Sequence, residues 1–477
     1  MATKRLIVNG LVVTMDAARR VIEGGAVLVA GDRIAAIGDT AALREAHPGT
    51  AEIDASGMAV LPGLVDAHAH AGHTLVKTLG GGDGGRWTQA VETLYPRGAT
   101  PDFWAADGAL AALERLKAGV TTGLSIFGAY GSRTDDPAHA EAHAAAYRRV
   151  GVRSVLCPGV SPPPYPNRFF DWDGATHRER QVALEDQLAV CATLVDRLHD
   201  VDGAAVRIML CAPVGYPGRH GLTPENAGLY PEAAKQVRAL SRARGVGFTQ
   251  DGHKGGTVRD AMAQGLLGPD ALLSHCIDLD EAEIRMVAET GTKIAHNPSA
   301  NMSIIGRCPA IELMEAGATV AICSDGTAPD RSFDMFRHMT QAMHYHRRHF
   351  RDARVLPPGK ALEMITCDAA KALGMEAEIG SLAPGKRADI TLVDLRKPHL
   401  WPGDMPLYRL VCFAVAADVD TVMVGGRVLM QGRRVLTVAE EAVMEDATRE
   451  IGLALARTGL EAMTATPPGF WGATRYG

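Results

Sequence analysis

The sequence predicts a (β/α)8 TIM barrel joined to a small β domain built from both ends of the chain. Through the middle of the 477 residues, short apolar runs alternate with helix-like segments, and each run ends in a polar tip. The tips at His253, His275, His296 and Asp325 lie 22, 21 and 29 residues apart, one strand–helix unit each. At both ends the texture changes to short runs that alternate apolar and polar positions, such as "RLIVNGLVVTMD" and "VDTVMVGGRVLMQGRRVL".

Residues 1–61 read as antiparallel strands with one wet face, with Asn9-Gly10 and Gly31-Asp32 as turns between them. Residues 62–375 have the size of a barrel, typically about 250 residues with insertions allowed. Within them "PEAAKQVRALSRARG" carries Ala233, Val237, Leu240 and Ala243 at helical spacing. Residues 376–438 supply the second part of the β domain, with Val424-Gly425-Gly426-Arg427 as a tight hairpin. Residues 439–477 start as a helix and turn Pro/Gly-rich, which predicts a surface tail suited to an oligomer contact.

Bulk properties narrow the function. Hydrophobic residues are 47%, charged residues 22% and the net charge −6, so no basic surface argues for nucleic acid or an acidic membrane. No apolar run approaches the roughly 20 residues of a membrane span. The start, "MATKRLIVNGLVVTMDAARR", lacks a long apolar core and a small-residue cleavage site. The eight cysteines show no CxxC, which suits reduced thiols in a cytoplasmic protein.

The polar tips carry the chemistry. In "LPGLVDAHAHAGHT" an apolar strand framed by Pro62-Gly63 and Asp66 ends in His68-Ala69-His70. Residues i and i+2 of a strand point to one side, so both imidazoles face one point at the mouth where barrel active sites sit. Neutral imidazole suits zinc, iron, cobalt or manganese. His73 follows on the loop, in contact with this pair or with solvent. Asp325, in "VAICSDGTAPD", can bind a metal and take a proton from water; its plain alternative is a turn or cap aspartate before Gly326. His275, in "LLSHCIDLDE", is a candidate to polarise a substrate carbonyl or hold the attacking water. His296, with Pro298 and Asn301 after it, reads as part of a turn lining the pocket. His338, His344, His346 and His349 read as one helix face. Two long loops, "GGGDGGRWTQAVETLYP" with Trp87 and "SPPPYPNRFFDWDG" with Tyr165, Phe169, Phe170 and Trp172, could lie over the mouth as lids.

The segments "LPGLVDAHAH", "LKAGVTT", "SHCIDLDEAEI", "IAHNPSANM", "SDG" and "GSLAPGKRADITLVD" occur in this order between about residues 5 and 435. Together they resemble the amidohydrolase superfamily, in its branch of triazine hydrolases and guanine- and adenosine-type aminohydrolases. The resemblance implies that the β domain is a sandwich. It implies one divalent metal held by the HxH of strand 1, a His of strand 5 and an Asp of strand 8, with the His of strand 6 serving water and substrate. These map onto His68, His70, Asp325 and His275.

Strand 5 departs from the pattern. The branch shows HxxE there, a ligand followed by a proton-shuttling Glu; this chain reads "VGFTQDGHKGG". His253 is the only histidine available and is the expected third histidine ligand, with Gln250 or Asp251 as competitors for the place. Asp251, or Lys254 as a cation, is the expected substitute for the missing Glu. "MLCAPVGYPGRHGLT" departs as well, and leaves Tyr216 with Trp87 and His296 as substrate contacts. The expected function is hydrolysis of an amide, urea, carbamate or similar C–N bond of a small organic molecule by a metal-activated water. The alternative is a deaminase or chlorohydrolase of a purine, pterin or triazine. Zinc is the first choice of metal, a small molecule the only expected partner, and a homo-oligomer the expected assembly.

Overall fold

The computed structural model describes residues 4–472 apart from 202, 204, 301 and 468. Asn301 and the end of the predicted tail therefore lie outside the described residues.

Eight parallel strands form the central sheet: β1 (Leu64–Asp66), β2 (Val120–Phe127), β3 (Arg153–Pro158), β4 (Val206–Ala212), β5 (Gly247–Gln250), β6 (Ala271–Ser274), β7 (Lys293–His296) and β8 (Val320–Ile322). They pair in chain order, so helical crossovers lie between neighbours as a right-handed barrel requires. The inside is filled by small and branched side chains, among them Val65, Leu124, Val155, Cys211, Leu272 and Ala321. Phe248, Leu273, Ile294 and Ile322 point the other way, into the layer between strands and helices. Each strand is thus apolar on both faces, which is why the sequence shows them as continuous apolar runs.

The seam between β8 and β1 is closed just above the strands. The Asp325 amide donates to His68 O over 3.0 Å. The Ser324 amide and hydroxyl donate to the two Asp66 oxygens over 3.0 and 2.7 Å. Asp66 in turn pairs with Arg115 Nη2 at 2.9 Å, and both side chains are fully buried. One carboxylate therefore fixes the strand that ends in the HxH pair, the strand that leads to Asp325, and the helix Pro101–Lys117. Breaking a buried pair leaves a charge uncompensated, at about 3–5 kcal/mol. Asp66→Ala should lower unfolding stability by that amount in a denaturant titration; a change below about 1 kcal/mol would mean the pair is replaceable.

The β domain is one nine-stranded sheet in which Ile390–Asp394 of the C-terminal part lies directly beside Met58–Pro62 of the N-terminal part. The sheet closes on a shared core that includes Val12, Val27, Ile34, Ile390 and Met423. Its two hairpin ends meet. A Cβ on Gly426 would lie 2.0 Å from Gly31 O, and both Gly425 and Gly426 have positive φ (52° and 74°), which together demand glycine there. Asn9-Gly10 is not the expected turn. It is a bulge inside the continuous strand Lys4–Val13, with Asn9 at φ 61°. Gly10 is needed because Val60 Cγ2 lies 2.5 Å from where a Cβ would stand.

Helix Glu440–Thr458 is not a loose tail. It buries Val443, Ala447, Ala454 and Leu455, and Lys117 Nζ pairs with Glu440 at 2.7 Å. The segment of Tyr165, Phe169, Phe170 and Trp172 is no lid over the mouth. It folds into a hairpin, Asn167–Asp173 against Thr176–Val182, where Phe170 stacks on His177 and Trp172 Nε1 donates to Arg97 O. All eight cysteines are free, and no helix among the described residues is long and apolar enough to cross a membrane.

Candidate metal centre

His68 and His70 leave the end of β1 and turn their Nε2 atoms to one point above the barrel. Their rings meet edge to face, with centroids 5.3 Å apart. Asp325 arrives from β8 and its Oδ1 lies 3.3 Å from His68 Nε2, 3.2 Å from His70 Nε2 and 3.8 Å from His275 Nε2. Asp251, the first residue after β5, places Oδ1 at 3.3 Å from His68 and 3.1 Å from His275, and Oδ2 at 3.3 Å from His70. Asp325 and His275 hold φ of 60° and 65°, the left-handed region that side chains enter only when their surroundings fix them. Those surroundings are visible: each has its amide engaged, Asp325 to His68 O and His275 to Ala295 O.

Three imidazoles and two carboxylates with donor atoms roughly 3–4 Å apart have the spacing of ligands that share one cation at about 2.1 Å. The buried Nδ1 and Nε2 of His68 have no hydrogen-bond partner, which also fits a site built around a cation. His68, Asp251, His275 and Asp325 each present a ligand atom within 4.8 Å of the others.

Electrostatics follow from the same crowding. Burial opposes charge on His68, but the Asp251 and Asp325 carboxylates 3.3 Å from its Nε2 outweigh it and push the group up to about 9. His70 is raised for the same reasons, while both carboxyls are held well below the usual range by the surrounding cations despite burial. In the metal-free protein a proton thus stands where a cation would. A group raised from 6.5 to about 9 stabilises that state fully below pH 6.5 and ceases to do so as pH rises through about 9. The gain in melting temperature from an added divalent metal should therefore grow between pH 6.5 and 9; a gain that shrinks over that interval would contradict this competition.

His253, the expected third histidine ligand, is not in the cluster. Its Nδ1 lies 2.9 Å from Thr257 Oγ1 and its buried Nε2 faces another cavity. Burial pushes it down to about 4. Asp251 holds the place at the end of β5. Lys254 is also away from the cluster: its Nζ donates to Pro217 O over 3.1 Å and sits 4.2 Å above the Tyr216 ring. His296 does not line the site cavity. It pairs with His346, Nε2 to Nε2 at 3.1 Å, while His338 spans Ser299 and Ser332.

The cavity over the cluster measures about 230 Å3 and is walled by Trp87, Tyr130, Tyr216, Arg219 and Arg331. Trp87 sits on helix Gly84–Gly98, so the glycine-dense segment is helical where it meets the site. His73 is buried and stacks on His70 at 4.5 Å, held by a loop whose Gly72 and Thr74 amides donate to buried Asp107.

Two family models match the chain: the amidohydrolase family over residues 243–429 and an imidazolonepropionase-like composite domain of bacteria over residues 25–49. The chain is 32% identical over 455 residues to a 5-methylthioadenosine/S-adenosylhomocysteine deaminase of Syntrophobacter fumaroxidans, covering 92% of this chain and 96% of that one. It is 34% identical to the protein of the same name from Desulforudis audaxviator, over 89% of this chain and 94% of the other. The chain is an amidohydrolase. It belongs to the deaminase branch of that superfamily and hydrolyses C–N bonds. A zinc-bound adenosine deaminase of Xanthomonas campestris shares the fold, with a TM-score of 0.79 at 24% identity over 95% of this chain and 98% of that one.

Sequence reasoning missed three of this amidohydrolase's cavity residues. Arg331 lies six residues after Asp325 in the same loop and sets its Nη2 3.3 Å from Asp325 Oδ2. Tyr130 stands just past the tip of β2, 6.1 Å from His70 ring to ring. Arg219 follows Tyr216 in the stretch that departs from the branch. Their signal was position, a polar residue just beyond an apolar run, which the loops after β4 and β8 blur by their length.

Proposed function

We propose that this amidohydrolase removes an exocyclic amino group from an N-heterocycle of the aminopurine class, with zinc held by His68, His70, Asp325 and Asp251. The convergence of His68, His70, His275, Asp251 and Asp325 beneath one aromatic-walled cavity carries the reading. The names of the relatives that match over nine-tenths of the chain support the substrate class.

When bound, the cation supplies the Lewis acidity that makes water nucleophilic near neutral pH. The chain's own groups do the rest. Arg331 engages Asp325 Oδ2, which leaves Oδ1 turned toward His68 and His70 to take the proton of the attacking water. Asp251 shares contact with His275, and this pair passes a proton to the ring nitrogen as the C–O bond forms. The C–N bond then breaks, and ammonia leaves with protons that came from water. Trp87 and Tyr216 offer faces and edges to a flat ring.

A second reading has its own support. With Lys254 turned away and no Glu at that position, β5 lacks the branch's usual proton shuttle, which favours an amide, urea or carbamate substrate. Assays of the zinc-loaded protein separate the two. Ammonia release from adenosine, 5′-deoxyadenosine or 5′-methylthioadenosine is expected; cleavage of aryl amides or ureas with no ammonia from any aminopurine would overturn the deaminase reading.

A further inference from the structure

The side chains that the metal cluster leaves unused build a second cavity. It measures about 360 Å3 and lies behind Tyr216, which lines both spaces. Its walls are largely apolar, with Leu222, Tyr230, Ala234 and Leu266. Among its polar lining side chains, Gln250 and His253 are buried, 2% and 1% exposed, beside Thr257, Asp260 and Gln264.

Both offer acceptors. Thr257 Oγ1 donates to Lys254 O over 2.7 Å, so its one hydrogen is used. Toward His253 it therefore accepts, the ring carries its hydrogen on Nδ1, and Nε2 of the neutral ring presents a lone pair. The Gln250 amide nitrogen faces Pro213 O at 3.4 Å, which leaves Oε1 as the free end. Neither Nε2 nor Oε1 has a partner, and Asp260 adds a carboxylate to the lining. A buried acceptor without a donor is costly, so the cavity is complementary to a ligand that brings donors on an apolar body.

We infer that this cavity binds an apolar group ending in hydrogen-bond donors, an aryl or alkyl amine, one tyrosine away from the catalytic cavity. The occupant is the arm of a substrate or a separate small amine. In either case it touches Tyr216, so occupancy reaches the catalytic wall.

Benzylamine, benzyl alcohol and anisole have the same number of heavy atoms and offer falling numbers of donors. Ligand-observed NMR on the zinc-loaded protein should rank them in that order, with benzylamine at least about tenfold tighter than anisole. Leu222→Trp, on a half-buried loop wall, should fill the space and remove binding of all three; Ala227→Trp repeats the test from another wall should the first variant fold poorly. Binding should persist after the metal is chelated, because no group of the metal cluster lines this cavity. Equal affinity for the three probes, binding that survives in a folded filled variant, or loss of benzylamine on chelation would each overturn the inference. None of these outcomes depends on which C–N bond the enzyme hydrolyses.

Discussion

Asp251→Asn is expected to lower turnover by about 10²–10⁴-fold, the range of a positioned acid–base group, while His253→Ala keeps the metal and most of the rate. The two residues stand two apart on one strand end, and sequence alone favours the histidine. Geometry favours the aspartate, whose two oxygens reach His68, His70 and His275 at 3.1–3.3 Å. Asparagine keeps the size of the side chain but replaces one acceptor by a donor and removes the charge that opposes three imidazoles. Steady-state kinetics with metal analysis of both variants checks this. A His253→Ala protein that loses its metal, beside an Asp251→Asn protein that retains both metal and rate, would return the ligand to His253. Asp251→His is the informative third variant, since it restores the imidazole that the branch shows at this strand end.

Strand-tip chemistry was legible in the sequence where the backbone keeps its alternation. In His68-Ala69-His70 no glycine intervenes, so the two-residue period carries both rings to one point. In Asp251-Gly252-His253 the glycine takes φ 93°, the chain turns, and the period fails. His253 then donates its amide to Ser274 O and swings its ring behind Tyr216. The same local chemistry explains Asn9-Gly10, a pair typical of a hairpin that here relieves the close approach of Val60. A sequence shows which residues permit a positive φ but not which neighbour requires it. The barrel itself needed no such detail, because strands buried on both faces write themselves as apolar runs at regular spacing. The aromatic hairpin after β3 was misplaced for a related reason: side chains that stack on a ligand and side chains that stack on one another, as Phe170 does on His177, look alike in a sequence.

His70→Ala should cost the metal and the activity together, with turnover falling by at least about 10³-fold if the cation supplies several kcal/mol to the barrier. His70 is bound to the cluster by both carboxylates, at 3.3 and 3.2 Å, and nothing else among the described cavity residues can take its place: His73 stacks on it but is held by the Asp107-braced loop. His275→Ala should behave differently. His68, His70, Asp251 and Asp325 would still surround the cation, so the metal should stay while the rate falls. Chelation of the intact enzyme should abolish turnover, and zinc, manganese, cobalt or iron added back should restore it in the intact enzyme but not in His70→Ala at equal metal. Metal content measured beside kcat separates the two histidines. A His70→Ala protein with full metal occupancy would mean that the ion rests on other groups, and the roles assigned to both carboxylates would have to be redrawn.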